Sequence, residues 1–372
     1  MPIPLNLNFA QYHAWVLYPA LDTQDPWLQY YYDFSQSLGE YRRVFADLGM
    51  EWTWQPVQLD NAREVIRHIA TAPGGRIPLV LNLCDGDELN GAPGLSVIRE
   101  LEQSDLHYTG ADAWFYEITT SKIPMKQALD RAGVPNAPWE LLDPQHGARP
   151  GICERLGSPL LLKPAVSGGS LGISLRNLAG SEQELNRRAA ELRQGFHGWD
   201  LISGGLLAER FIEGPEYTSL VVGNAAEPGS CVVYEPVERI FHPSLGPRER
   251  FLSFERLWDM FESETPLPQQ ESLYVYAPVT DPALRDEITS LSLQAYAALS
   301  GTGYGRLDLR RDAATGRLYV LEVNAQCGLS EDEAYTSIGA ILRLSGISFT
   351  DLIASVLEEA LLRHSYRQSA SL

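Results

Sequence analysis

Apolar and polar positions run with two distinct periods along this chain, and the order of the periods predicts its architecture. Ala14–Ala20 (AWVLYPA) is a short apolar run of strand length, and Glu51–Val57 is another short strand. Ile77–Leu83 (IPLVLNL) is continuously apolar, as a strand buried on both faces is. Between these runs, Leu28–Leu48 and Glu64–Ala72 carry the spacing of helices. This β-α-β-α-β order predicts an open parallel sheet through about Gly110, with ligands at the carboxyl ends of its strands. Asn82, Asp85 and Gly86 stand at such an end.

The second half of the chain changes character. Thr120–Ala132 reads as a helix closed by Gly133 and Pro135, and Leu160–Pro164 as a strand entering a glycine-rich turn. Helix Glu182–Arg193 and strands Leu206–Ile212 and Tyr217–Val222 follow. Ile240 to Ser272 is rich in Pro, Glu and Arg and reads as a long excursion with little regular structure, the kind of segment that often forms a lid. Leu284–Leu299 is an amphipathic helix, and Ser348–His364 a final one.

Tyr304–Arg310 and Leu318–Asn324 alternate apolar and polar across a loop of Asp, Ala, Thr and Gly, the pattern of an antiparallel pair. Successive strand side chains point to opposite faces. Arg306, Asp308 and Arg310 therefore share one face with Glu322 and Asn324, while Tyr319, Leu321 and Val323 lie behind them. Asp308, Glu322 and Asn324 offer hard oxygen donors suited to Mg²⁺, beside the fixed cation of Arg306. A water-facing hairpin is the plainer alternative. It requires LDL and YVLEVN to be exposed, and a carboxylate buried among such residues needs a partner or a metal.

Bulk properties narrow the field. At 372 residues the chain is long enough for two or three domains. Its net charge of −19 disfavours uniformly basic nucleic-acid binding. Cys84, Cys153, Cys231 and Cys327 are dispersed, without the spacing of a zinc site or a disulfide framework, so a reducing cytoplasmic location is expected. No run approaches the ~18 apolar residues of a membrane span, and the N-terminus lacks the pattern of a signal peptide.

A further candidate is Leu162–Leu171 (LKPAVSGGSL), closed by Gly172. The backbone amides of such a turn can close over phosphates, with Lys163 adding charge. A surface turn with a solvated lysine fits the same residues. It is neither a P-loop nor a dinucleotide fingerprint.

Taken together, these segments resemble the ATP-grasp superfamily, and within it the D-alanine–D-alanine ligases. The resemblance runs from about Leu79 to Ile353. Its landmarks are LNLCDG (81–86), YTGA (108–111), SKIPMKQALDRAGVP (121–135), LKPAVSGGSLGIS (162–174), AERFIEGPEYT (208–218), YAP (276–278), GRLDL (305–309) and LEVNAQCGLS (321–330). It implies an α/β (α+β ATP-grasp) fold, with an N-terminal open parallel sheet domain followed by two α+β subdomains that grip ATP. The expected boundaries are 1–118, 119–219 and 220–372. The implied activity is ADP-forming ligation of a carboxylate to an amine through an acyl-phosphate. ATP and two Mg²⁺ ions, replaceable by Mn²⁺, are the implied cofactors. Small-molecule carboxylate and amine substrates are the implied partners, without nucleic acid or membrane, in a homodimer.

The resemblance also assigns roles. Lys122 and Lys163 grip the nucleotide phosphates, and Ser167, Gly168, Gly169 and Ser170 form the phosphate loop. Glu209, Arg210 and Ile212 lie on the hinge strand that reads the adenine, and Glu216 holds the ribose. Asp308, Glu322 and Asn324 ligate metal. Arg306, Lys163 and Ser170 act at the reacting phosphoryl group. Asp85, Gly328, Ser330 and Glu333 fall at the substrate positions.

Several of these positions depart from the family. The first strand ends in YPALDTQDPW, without the glycine-rich loop whose glutamate binds the first substrate's ammonium. The family's histidine is Asp85, a supporting serine is Gly169, and the serine that binds the second substrate's carboxylate aligns near Glu333. The 240–272 loop lacks the family's Tyr-x-x-Lys-Tyr pattern. These changes lead to the expectation of a relative serving specialised biosynthesis with a different acid and amine. D-alanine–D-alanine or other dipeptide ligation, and a non-catalytic nucleotide-binding regulator, are the alternatives.

Overall fold

Residues 8–24, 26–72, 75–195, 198–257, 272–334 and 336–370 are described by the structure, a computed structural model. Three sheets follow one another along the chain. β1 (Tyr12–Pro19), β2 (Glu51–Val57), β3 (Ile77–Asn82) and β4 (His107–Tyr108) form a parallel sheet in the order β2-β1-β3-β4. β5 (Trp139–Leu141), β6 (Leu160–Pro164), β7 (Leu178–Ala179) and β8 (Leu206–Arg210) form an antiparallel sheet in the order β5-β8-β6-β7. β9 (Glu216–Val222), β10 (Val232–Val233), β11 (Val237–Phe241), β12 (Tyr274–Pro278), β13 (Tyr304–Arg311) and β14 (Leu318–Ala325) form the third, with the path β12-β11-β9-β13-β14 and β10 on β9.

The apolar pattern explains how the sheets associate. One core joins Leu17 and Val80 of the parallel sheet to Leu307 and Val320 of the third, through helix residues such as Phe115 and Ile288. The middle sheet has its own core, in which Leu160, Leu162 and Leu206 pack with Leu185, Ala189 and Leu192 of the helix Glu182–Leu192. The middle sheet is thus a separately packed unit beside a larger body formed by the other two.

Three expectations change. The predicted helix Leu28–Leu48 is two helices, Pro26–Tyr31 and Ser35–Asp47. Asp33 Oδ1 accepts from the Ser35 amide at 2.9 Å, a local bond that competes with continued helix. The excursion expected over 240–272 contains regular structure at its start, because β11 pairs with both β9 and β12. Its Pro, Glu and Arg content suggested a loop, yet Ile240 and Phe241 pair with Val275 and Tyr274 of β12. Residues 258–271 lie outside the described residues. Finally, the β13/β14 register shifts between Asp308 and Leu309. This bulge alters the phase of β14, so Leu318, Val320 and Val323 enter the core while Leu321 turns to a cavity on the other side.

Candidate active site

The hairpin β13/β14 places the oxygen donors side by side. Arg306 stands opposite Asn324, and Asp308 opposite Glu322. Asp308 Oδ2 accepts from Arg306 Nη2 at 3.0 Å and from Asn324 Nδ2 at 3.1 Å, and its Oδ1 accepts from Thr218 Oγ1 at 3.0 Å. Glu322 pairs with Lys122, Nζ to Oε1 2.9 Å. The two carboxylates are held at one place by adjacent strands, and each already faces a cation. An oxygen donor set so arranged fits Mg²⁺.

The two lysines expected at the phosphates meet different carboxylates. Lys122, buried at the start of helix Lys122–Arg131, donates to the Ser167 carbonyl at 3.0 Å as well as pairing with Glu322. It stands between the metal-type carboxylates and the glycine loop. The lysine beside Lys163 is Lys126. Its Nζ lies 2.9 Å from Glu209 Oε2, and Lys163 Nζ lies 2.5 Å from Glu209 Oε1. Burial by itself would raise the Glu209 pKa, but the two ammonium groups overcome that and hold it at about 2. Burial lowers the Lys126 pKa, against the pull of Glu209. Sequence reasoning missed Lys126. The signal was its spacing: Lys122, Met125, Lys126 and Leu129 fall on one helical stripe, and all four are buried.

Two guanidinium groups converge on Glu216. Arg239 pairs with Oε1, and Arg310 Nη2 lies 2.6 Å from Oε2. Arg310 also donates to the Ile212 carbonyl at 3.1 Å and lies over the Phe211 ring. Arg210 pairs with Asp312 at 2.6 Å and stacks over Tyr319. In the Ser167–Gly172 loop, Gly169 and Ser170 take successive left-handed conformations, φ +52° and +60°. For Ser170 this is a costly backbone state, of the kind that clusters at ligand clamps.

Two cavities meet at this hairpin. The larger, about 440 Å³, is lined by Lys163, Glu209, Glu216, Arg239 and Asp308. The other, about 270 Å³, is lined by Asp85, Gly328 and Cys327 together with aromatic rings. Arg306, Glu322, Asn324, Gly168 and Gly169 line both. Two other expected substrate residues are engaged elsewhere. Ser330 is buried and donates to Glu40 Oε1 at 2.7 Å, and Glu333 pairs with Arg343. In the intervening acids, Glu331 pairs with Arg43 and Asp332 Oδ2 accepts from Gln36 at 2.9 Å.

A parallel sheet, a separate four-stranded sheet and a larger antiparallel sheet, with a cavity lined by paired cations and carboxylates, define the ATP-grasp fold. Comparisons with known proteins place it further. The family model described as D-ala D-ala ligase C-terminus matches residues 128–358. D-alanine–D-alanine ligase B of Xanthomonas campestris is 27% identical over 77% of this chain and 79% of its own length. D-alanine–D-alanine ligase of Solibacter usitatus is 29% identical over 72% of this chain and 73% of its own. The crystal structure of the Bacillus anthracis D-alanine–D-alanine ligase complexed with ATP superposes with a TM-score of 0.66, at 17% identity, over 96% of this chain and 99% of that one. The chain belongs to the D-alanine–D-alanine ligase family. It is an ATP-using, ADP-forming carboxylate–amine ligase acting on small molecules. Among the described residues no single helix is long and apolar enough to cross a membrane.

Proposed function

We propose that this enzyme joins two amino acids: the carboxylate of one is phosphorylated by ATP, and the amine of the other displaces the phosphate. D-alanine–D-alanine ligation is the reading that the relatives' names support. The comparisons offer no support for the expected specialised pathway. The observation that carries the proposal is the junction of the two cavities. Arg306, Glu322 and Asn324 line both, so a phosphoryl group leaving a nucleotide in the larger would meet a carboxylate in the smaller.

In this reading ATP lies between units 119–219 and 220–372. Lys163 and, beside the glycine loop, Lys122 orient its phosphates, the amides of Gly168, Gly169 and Ser170 cover them, and Glu216 holds the ribose hydroxyls; Lys126 steadies Lys163 through the Glu209 carboxylate they share. Asp308, Glu322 and Asn324 would hold Mg²⁺, which when bound supplies positive charge to the transferring group. Arg306, fixed by its two bonds to Asp308, stabilises the acyl-phosphate as it forms. The Ser167–Gly172 loop and residues 242–257 exclude water, because an exposed acyl-phosphate would hydrolyse. No protein nucleophile is required.

The test is incubation with Mg-ATP and D-alanine, following ADP, phosphate and dipeptide by mass spectrometry. AMP and pyrophosphate in their place would refute the mechanism. Tight Mg-ATP binding without turnover on any amino-acid pair would favour the non-catalytic reading.

A further inference from the structure

The smaller cavity contains a carboxylate that the reaction described above does not use. Asp85 follows β3 on a turn fixed from both sides. Gln326 Nε2 donates to the Cys84 carbonyl at 2.8 Å, and Tyr116 Oη donates to the Gly86 carbonyl at 2.9 Å. The Cys84 amide is bound in turn by Asn82 Oδ1 at 3.1 Å. The turn is also closely packed: a Cβ on Gly86 would lie 2.2 Å from the Ala92 carbonyl oxygen. Asp85 thus sits between two pinned peptide groups, and its side chain opens into the cavity.

Its acidic neighbours are satisfied and Asp85 is not. Asp87 accepts from the Asn90 amide and side chain, both at 3.0 Å. Glu88 Oε1 accepts from the amides of Gly94 and Ser96 at 3.2 and 2.6 Å. Among the described residues no side chain donates to Asp85 and no cation pairs with it. The ionisable groups it influences, Cys84, Tyr116, Tyr304 and Cys327, are all neutral at pH 7. Asp85 is exposed to the cavity, and the protein around it raises its pKa above the ordinary carboxylate value by partial loss of solvation.

The cavity also has a sense of direction. Arg306 stands where it joins the larger cavity, and Cys327 lies within the electrostatic reach of both Arg306 and Asp85. One cavity therefore presents the Arg306 cation, beside Glu322, at the phosphoryl-transfer junction and the Asp85 carboxylate on the turn after β3. Aromatic walls, including Tyr31, Phe34 and Trp199, reduce the solvent between them. A zwitterion matches this arrangement, and an anion without an ammonium group does not.

We infer that Asp85 is a specificity-determining residue that binds the ammonium group of a free amino acid, whose carboxylate then points at Arg306 for phosphorylation. The inference rests on the ligase reading for the direction of the carboxylate. Recognition of the ammonium group is testable without turnover.

The experiment compares wild type with Asp85→Asn on a panel of D- and L-amino acids, each paired with its N-acetyl and des-amino counterparts. Binding is measured by titration calorimetry with Mg²⁺ and a non-hydrolysable ATP analogue, and turnover by ADP release. Wild type should prefer the free amino acid, and Asp85→Asn should weaken its binding and raise its KM about tenfold or more, the size of one charged hydrogen bond. The KM for ATP should not change, and the blocked analogues should lose little. Thermal stability of Asp85→Asn at pH 8 should equal or exceed that of wild type, whereas a structural role predicts a loss.

If wild type binds no amino acid in the panel, or if Asp85→Asn leaves Kd and KM unchanged, the inference is overturned. A fall in kcat at constant KM also overturns it, since that would indicate proton transfer. Asp85-dependent amino-acid binding without ADP release would retain the anchor and reject the ligase reading.

Discussion

Glu209→Gln tests the buried charge triad directly. The side chain keeps its shape and loses its charge. Both lysines it faces are almost completely buried: the side chains of Lys126, Lys163 and Glu209 are 0%, 9% and 3% exposed. A carboxyl held at about 2 instead of 4.5 favours the charged folded form by about 3 kcal/mol at pH 7. The substitution removes that contribution and leaves two like charges together out of water, a cost of the size seen when one partner of a buried pair is deleted, ~3–5 kcal/mol. With a urea dependence of roughly 3 kcal/mol/M, the unfolding midpoint of the unit containing the middle sheet should fall by about 1 M or more.

The sign with pH follows from the lowered pKa. Glu209 contributes its full stabilisation above its ordinary pKa of 4.5 and loses it as pH falls through about 2. The gap between wild type and Glu209→Gln should therefore be constant from pH 7 to about 5 and narrow below that. Urea titrations monitored by circular dichroism at several pH values supply the test. Equal midpoints at pH 7, or a gap that widens on acidification, would refute the reasoning.

Four further outcomes are expected. Glu322→Gln should remain folded but lose most ADP formation, because the carboxylate that pairs with Lys122 and is proposed to hold Mg²⁺ loses its charge; near wild-type rates would remove it from the mechanism. Lys163→Ala should weaken ATP more than adenosine in equilibrium binding, and equal losses would contradict a phosphate role. Hydrogen exchange in 167–172 and 242–257 should slow when Mg-ATP and substrate bind together, and unchanged exchange would count against a lid there. Asp85 has a folded pKa of about 6 against an ordinary 3.8, so its charge destabilises the fold as pH rises through this window. Thermal scans of Asp85→Asn should accordingly show a gain over wild type at pH 8 that vanishes near pH 4.

Much of the site was legible before the fold. The alternation in GRLDL and LEVN set Asp308, Glu322 and Asn324 on one face because strand side chains have a period of two. Apolar runs and turns predicted the parallel sheet and the β13/β14 hairpin, since those features depend on near neighbours. The bulge after Asp308 was not legible: it depends on how β14 meets its partner, and it moved Leu321 from the core side to a cavity. Lys126 was overlooked because a lysine reads as solvated until an opposing carboxylate is seen, and Glu209 comes from a strand more than eighty positions away. The place of Arg239 was likewise not legible, since Glu216, which pairs with it inside the sheet, lies on another strand. Glu333 and Asp85 both fell at substrate positions in the sequence, and Glu331 and Asp332 adjoin the first of them. Tertiary contacts divided them, satisfying the run with Arg43, Gln36 and Arg343 and leaving Asp85 open to the cavity. Local periodicity decides which way a side chain points, and only the assembled structure decides which charge it meets there.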